Sequence, residues 1–292
     1  MFGNLGNLEM LGNLDELVDR LSDGLASAVK LAGDAKKFYF TTRDLARQNW
    51  QMIREEGRSL TDLMRALNHD FLTGLPGRRR ALEDFSNKYL TIMADVERTG
   101  KPAHMACLFI DADNFKNAND THGHAFGDLV LRNLADVLKD NTRKGEDMVY
   151  VTEEKYDTVF SRQGGDEFIA IGRIANEGDG RIWAERIHKA ISELQIPIPG
   201  DGGLYRQTVS IGVCESSVTA DDVSEYRSIL NDYSIRNRRG SGEIVLNVKG
   251  KKILETWLSK KYEDISKPAD HAMYKAKHNG RNRVEEHHPL DF

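Results

Sequence analysis

Apolar and polar positions along the second part of the chain predict an alternation of helices and strands. From residue 78 onward the pattern predicts a helix over about 78–97, a strand over 104–111, a helix over 125–140, a hairpin over 156–172, a helix over 180–194, a strand over 206–213 and a helix over 267–279. Pro268 is expected in the first turn of that last helix and Gly280 just past its end. Alternating elements with one antiparallel hairpin indicate an α/β sandwich.

The first 68 residues contain no proline and carry a helical periodicity. Two heptad positions are occupied by small or apolar residues, namely Leu14, Leu21, Ala28 and Ala35 at one and Val18, Leu25, Ala32 and Tyr39 at the other. This pattern predicts an N-terminal helical segment over residues 1–68 that either dimerises as a coiled coil or packs as a helical hairpin on its own chain. Residues 69–292 are the expected second domain.

Acidic residues follow two of the predicted strands. The apolar run 105–110 ends in Asp111-Ala112-Asp113, and Gly164-Gly165-Asp166-Glu167 forms the tip of the hairpin. Each segment alone is typical of a solvated turn. If the two come together, their like charges repel unless a divalent cation lies between them. Oxygen ligands without a Cys or His cluster favour Mg²⁺ over zinc, with Mn²⁺ as the alternative.

Four segments in a fixed order resemble the motifs of the GGDEF family, the diguanylate cyclases. They are residues 70–79, residues 110–128, Gly164-Gly165-Asp166-Glu167-Phe168 and residues 270–284. The resemblance covers roughly residues 70–286. It implies the palm-like fold of nucleotidyl cyclases, with a central, mainly antiparallel sheet preceded by N-terminal helices.

The resemblance also implies a set of site residues. The implied metal ligands are Asp111, the carbonyl of Ala112, Asp166 and Glu167, and Glu167 is either a second metal ligand or a proton acceptor. The implied catalytic residues are Asp166, Glu167 and Lys116. The implied substrate-binding residues are Lys116, Asn119, Asp128, Gly164, Gly165, Lys277 and Arg281.

Asn119 and Asp128 match the pair that reads guanine in this family, which favours GTP over ATP. A carboxylate accepts hydrogen bonds from both N1–H and the exocyclic amine of guanine, whereas adenine offers no such pair of donors.

The activity implied by the resemblance is the condensation of two GTP molecules into cyclic di-GMP. Because each site holds one GTP, two subunits must face each other, and a homodimer is expected. Two alternatives remain. A catalytically inactive receptor or scaffold that binds GTP or cyclic di-GMP would show changes at Asp111, Asp166 or Glu167, and a cyclase that uses adenine would show a change at Asp128. The sequence has neither change.

The composition of the chain limits the binding partners and the cellular location that we expect for the protein. A net charge of −5 argues against nucleic-acid binding, which is typical of basic proteins. No apolar stretch approaches the roughly 20 residues of a membrane helix, so we expect no membrane partner and a cytoplasmic location. The two cysteines, Cys107 and Cys214, indicate neither a disulfide framework nor a zinc site.

Two regions depart from the family pattern. The product-inhibition motif, Arg-x-x-Asp, should fall at Lys155 to Thr158, where neither end residue matches, so we expect that site to be absent. Residues 215–263 form an insertion that is either a partner or regulatory surface or an idle loop, with an extra strand over 243–248. A protein partner is therefore expected either at this insertion or at the N-terminal helices.

Overall fold

A computed structural model describes residues 69–141, 158–200, 202–235 and 245–288 of the 292-residue chain. The backbone divides into two units, Met1–Leu67 and Asn68–Phe292, and all of the described residues belong to the second. The helical segment predicted over residues 1–68 lies outside the described residues.

The described residues form helices and strands in an alternating order. In chain order they are α1 (Arg78–Thr99), β1 (Ala103–Ala112), α2 (Phe115–His122), α3 (His124–Asp140), β2 (Thr158–Gly164), β3 (Glu167–Ile174), α4 (Asp179–Ser192), β4 (Ile196–Pro197), β5 (Leu204–Tyr205), β6 (Val209–Val218), α5 (Ala220–Tyr233), β7 (Ser234–Ile235), β8 (Val245–Leu246), α6 (Val248–His278) and β9 (Arg283–Glu286).

Five of the strands form the central sheet, in the order β2-β3-β1-β6-β9. β1 lies in the middle and is antiparallel to both β3 and β6, while β9 runs parallel to β6 at the edge. β1 is apolar on both faces because helices cover both sides of the sheet. The predicted α/β sandwich with a mainly antiparallel sheet is confirmed.

The two faces of β1 enter two different cores. Ala106, Leu108 and Ile110 pack with residues of α3 and α4. Met105 and Cys107 point the other way and pack with residues of α1 and α6. Because successive side chains of a strand alternate between faces, Asp111 is directed toward the α1 and α6 side.

The last helix differs from the sequence prediction. It begins at Val248 and not near residue 267, so Pro268 lies inside the helix instead of in its first turn. A proline inside a helix costs about 3 kcal/mol. Leu258, Ile265 and Ala269 are buried on either side of this point. Their packing on the sheet stabilises the helix through the proline.

The insertion is also different from the prediction. The strand predicted over 206–213 spans Val209–Val218, so an insertion from residue 215 begins inside a strand. The region is not a loop, because it contains α5, the short β7–β8 pair and the first half of α6. The extra strand predicted over 243–248 is limited, among the described residues, to β8.

A polar cluster joins the two helices of the insertion, α5 and α6, to each other. Lys261 of α6 lies 2.5 Å from a carboxylate oxygen of Asp222 and 3.3 Å from one of Glu225, both on α5. Trp257 donates a hydrogen bond to Glu225 at 2.8 Å. Burial acts to raise the pKa of Asp222, but hydrogen bonds from Lys261 and from the backbone of Thr219 lower it overall.

Close contact with β6 sets the position of α6. An added Cβ at Gly212 of β6 would lie 2.0 Å from the carbonyl oxygen of Ala269 and 2.1 Å from the backbone nitrogen of Met273. The helix backbone therefore rests directly on the strand, and only glycine leaves the space for it. This contact carries the last turns of α6 over the sheet end at which β1 finishes.

Candidate active site

The carboxylates of Asp111 and Glu167 lie next to each other on the sheet. Asp111 is near the end of β1, Glu167 begins β3, and the two are direct partners in the antiparallel register. Residues paired in this way point to the same face, so both carboxylates are directed toward α6. Asp166 lies in the turn before β3, and its carbonyl accepts the Ala112 N–H at 3.3 Å. The structure therefore places the chain segments that carry the four predicted metal ligands next to each other.

The tip of the hairpin depends on two glycines and one arginine. Gly164 and Gly165 have φ angles of 154° and 52°, in the region that favours glycine. Arg162 donates to the carbonyl of Gly165 at 2.9 and 2.6 Å and to both carboxylate oxygens of Asp70 at 2.9 Å. This arginine joins the first sequence motif to the tip and fixes the backbone that precedes Asp166.

Asp111 is the most deeply buried of these carboxylates, at 3% exposure. Its Oδ2 lies 2.6 Å from Nζ of Lys277, whereas its buried Oδ1 has no hydrogen-bond partner among the described residues. Burial raises the pKa of Asp111 to about 6; the charges of Asp166 and Glu167 add to the rise, and Lys277 opposes it. A buried oxygen without a partner is costly, and it suits a position where a ligand completes the shell.

The few oxygen ligands at this site suit Mg²⁺, which also binds phosphates and water, better than a metal ion that is bound only by protein side chains. In the described ranges, no three His, Cys, Asp or Glu side chains are grouped so that they could hold a metal ion. Mg²⁺ is usually bound by one or two carboxylates together with substrate phosphates and water. Asp111, Asp166 and the carbonyl of Ala112 supply that smaller set.

Glu167 is half-buried, and its surroundings raise its pKa. Burial raises its pKa, the charges of Asp270 and Asp166 raise it further, and Lys277 and Arg78 oppose the change. Asp270, near the end of α6, was not among the predicted site residues. It lies inside the last sequence motif, but only the fold shows that α6 places it beside β3.

Asn119 and Asp128 lie on two consecutive helices. Asn119 is on α2 and the half-buried Asp128 is on α3, with the turn at Gly123 between them. The side chain of Asn119 rests against the backbone of Gly127, where an added Cβ would lie 1.9 Å from its Oδ1. The predicted guanine-reading residues therefore lie on consecutive helices, and Asn119 contacts the helix that carries Asp128.

The predicted cations differ in what they contact. Lys277 in the last turn of α6 pairs with Asp111, as described above. Lys116 on α2 and Arg281 in the turn after α6 are exposed. No hydrogen bond or ion pair joins either side chain to the carboxylates within the described residues. The part of Lys116 and Arg281 in the site stays a prediction. The expected absence of a product-inhibition site also stays a prediction, because residues 155–157 lie outside the described ranges.

Asp113 is separate from the carboxylate cluster although it is only two residues from Asp111. Its carboxylate accepts hydrogen bonds from Ser210 Oγ at 2.6 Å, from Thr208 Oγ1 at 2.9 Å and from the N–H of Asn282 at 2.9 Å. Local sequence patterns assign no separate role to this residue, because its partners lie about 95 or more positions further along the chain.

Comparison with known proteins gives consistent matches. The sequence model of the GGDEF domain of diguanylate cyclases matches residues 67–233. Diguanylate cyclase DgcZ of Escherichia coli K12 is 41% identical over 146 residues, which are 50% of this chain and 42% of that protein. Diguanylate cyclase A of Treponema denticola is 33% identical over 184 residues, 63% of this chain and 35% of that protein. The chain thus spans less than half of either relative.

A solved structure shares the fold. The coiled coil and GGDEF domain of DgcB from Caulobacter crescentus, determined in complex with c-di-GMP, superposes with a TM-score of 0.54 at 23% identity. The alignment covers 84% of this chain and 98% of that one. Within the described ranges, no helix has the length and apolar character needed to cross a membrane.

Proposed function

Because the chain belongs to the GGDEF family of diguanylate cyclases, we propose that it condenses two GTP molecules into cyclic di-GMP and releases two pyrophosphates. One observation carries the proposal. Asp111 and Glu167 are paired on one face of the sheet, Asp166 precedes Glu167, and one buried oxygen of Asp111 has no hydrogen-bond partner in the part of the chain that the structure describes.

Asp111, Asp166 and the carbonyl of Ala112 would hold Mg²⁺, with Mn²⁺ as the alternative. When bound, the metal neutralises triphosphate oxygens and the charge that develops on the departing pyrophosphate. The unpartnered Oδ1 of Asp111 is the feature of this structure that the ion would satisfy.

The triphosphate is held by the cations around the carboxylates. Lys277 already lies at the edge of the cluster, 2.6 Å from Asp111. The side chains of Lys116 and Arg281 are exposed, so phosphate oxygens can reach them. These cations would neutralise the negative charge of the triphosphate that one divalent ion leaves uncompensated. Gly164 and Gly165 allow the phosphates to approach the hairpin backbone closely, since no side chain projects there.

The reaction joins the 3′-oxygen of one GTP to the α-phosphorus of the other. The O–H bond of the 3′-hydroxyl breaks, a P–O bond forms, and pyrophosphate leaves with its bonding electrons. We propose that Glu167 accepts the proton of the 3′-hydroxyl. Glu167 faces the same side of the sheet as Asp111, and its carboxylate is only half-buried. Asn119 and Asp128 read the guanine.

The proposed reaction requires two subunits, because each domain holds one GTP and the product contains two. Residues 69–292 would form the catalytic domain, and residues 1–68 would hold two such domains at a high effective concentration. The need for GTP and Mg²⁺ points to the cytoplasm. Turnover per subunit should rise with protein concentration and fall when residues 1–66 are removed; undiminished turnover of the shortened chain at low concentration would contradict this arrangement.

The activity is tested by incubating the purified protein with GTP and Mg²⁺ and identifying the product by mass spectrometry. Wild type should form cyclic di-GMP, and Asp166→Ala should not. Glu177→Ala is the matched control, since it removes an exposed acid that lies outside the site. Binding of GTP without any product, or equal turnover by Asp166→Ala, would overturn the proposal.

A further inference from the structure

The turn between α6 and β9 has an unusual backbone. Gly280, Arg281 and Asn282 are consecutive residues with φ angles of 109°, 62° and 47°. Only the first is glycine. Residues with a side chain adopt this left-handed conformation when the surrounding structure holds them there, so the contacts of this turn show what holds Arg281.

Two side chains from other parts of the fold hold Asn282. The carboxylate of Asp113 accepts its backbone N–H at 2.9 Å. His188 of α4 places Nε2 2.9 Å from its side-chain oxygen, a geometry in which the ring N–H donates. On the other side of the turn, the N–H of Arg281 donates to the carbonyl of Ala276 in α6 at 3.0 Å. Arg281 therefore lies between two fixed points.

Both carboxylate oxygens of Asp113 accept hydrogen bonds. It is 4% exposed, and its two oxygens accept from Ser210, Thr208 and Asn282. The same carboxylate thus joins the end of β1, the start of β6 and the turn. Asp111, two residues earlier, has the opposite character, because one of its buried oxygens has no partner among the described residues.

We propose that Asp113 is a positioning residue which, together with His188, holds Arg281 in place to bind the phosphates of GTP. The inference rests on the proposed function, in which Arg281 contacts phosphate. Arg281 has an exposed, flexible side chain, so a fixed backbone limits the conformational freedom that phosphate binding must remove. Asp113 acts through the turn and not through the metal.

The test uses a GTP analogue with a methylene group between the α- and β-phosphorus, which cannot release pyrophosphate. His188→Ala and Asp113→Ala should each weaken its binding about tenfold, in line with the loss of a charge-assisted contact. Neither change should weaken binding further once Arg281→Ala is present, because all three act through one contact. Asp113→Asn should restore most of the affinity, since its amide oxygen can still accept the Asn282 N–H.

Ser210→Ala is the matched control, because it removes a hydrogen bond to the same carboxylate without touching the turn. It should leave affinity within about twofold of wild type. Amide hydrogen exchange supplies an independent readout: His188→Ala should speed exchange at residues 281–283, and Ser210→Ala should not. If Asp113→Ala fails to fold, the half-buried His188 still decides the question.

Three results would overturn the inference: unchanged affinity in His188→Ala, losses that add to those of Arg281→Ala, or an equal loss in Ser210→Ala. A wild-type protein that binds the analogue but makes no cyclic di-GMP overturns the proposed function alone. A wild-type protein that does not bind the analogue overturns both.

Discussion

Replacing Gly127 by alanine should separate folding from guanine recognition. Gly127 lies inside α3 and is buried. An added Cβ would lie 1.9 Å from Oδ1 and 2.9 Å from Cγ of Asn119, and 3.2 Å from a ring carbon of Phe115. The severe clashes involve the end of a flexible side chain. Asn119 should therefore turn away while α2 and α3 keep their places.

The two expected effects have opposite signs. Alanine is favoured over glycine inside a helix by about 0.8–1.0 kcal/mol, so the free energy of unfolding should stay level or rise by up to about 1 kcal/mol. Turning Asn119 away would remove the hydrogen bonds to guanine that we propose for it and leave polar groups unpaired, which costs about 1–3 kcal/mol. GTP binding should therefore weaken by roughly 5- to 150-fold.

Urea unfolding measures the first effect, and titration with the methylene analogue of GTP measures the second. The corresponding ATP analogue shows whether discrimination between the bases falls as well. Asn119→Ala is the control: it should reproduce the loss of affinity, and the double variant should lose no more. If Gly127→Ala binds and discriminates like wild type, Asn119 does not read the base from this position.

Substitutions at three further places test how the domain is held together. Gly212→Ala should cost about 2 kcal/mol or more of unfolding free energy and lower turnover, because its Cβ would lie 2.0 Å from the backbone oxygen of Ala269; wild-type stability and turnover would refute the close packing. Arg162→Gln should cost about 2 kcal/mol because the largely buried carboxylate of Asp70 loses its charged partner and keeps only its hydrogen bonds from Thr73, and adding Asp70→Asn should recover part of it; an unchanged urea midpoint would contradict this. The lowered pKa of Asp222 means that its stabilisation is present above the unfolded value, near 4, and is lost as the pH falls through the folded value. Asp222→Asn should flatten that acid limb of the stability profile, and two superimposable profiles would count against the ion pair.

Local sequence patterns predicted the central strands and the hairpin because their signals are short-range. The apolar run before Asp111 and the glycines before Asp166 mark a strand end and a tight turn without reference to the rest of the chain. The fold then placed these segments side by side through the register of β1 and β3. The resemblance to a known family supplied the roles of individual residues, which periodicity alone does not contain.

The features that the sequence analysis placed wrongly or did not predict also have physical causes. Pro268 is a strong local signal for a helix start, but burial of Leu258 and Ile265 outweighs it. α2, the sequence FKNANDTH, buries only Ala118, so its apolar pattern is too sparse to predict a helix. Asp113 resembles Asp111 in sequence, and only the distant donors that surround it separate their roles.

The position of α6 determines how much chain a laboratory must express to study this domain. A polypeptide trimmed after α5 would lack both the helix that rests on Gly212 and the edge strand β9. Part of one side of the sheet would face water, since α1 alone would cover it, and β6 would present an open row of amides and carbonyls to any neighbouring copy. Such a fragment should aggregate, and soluble production of this domain requires the polypeptide to extend at least to Glu286.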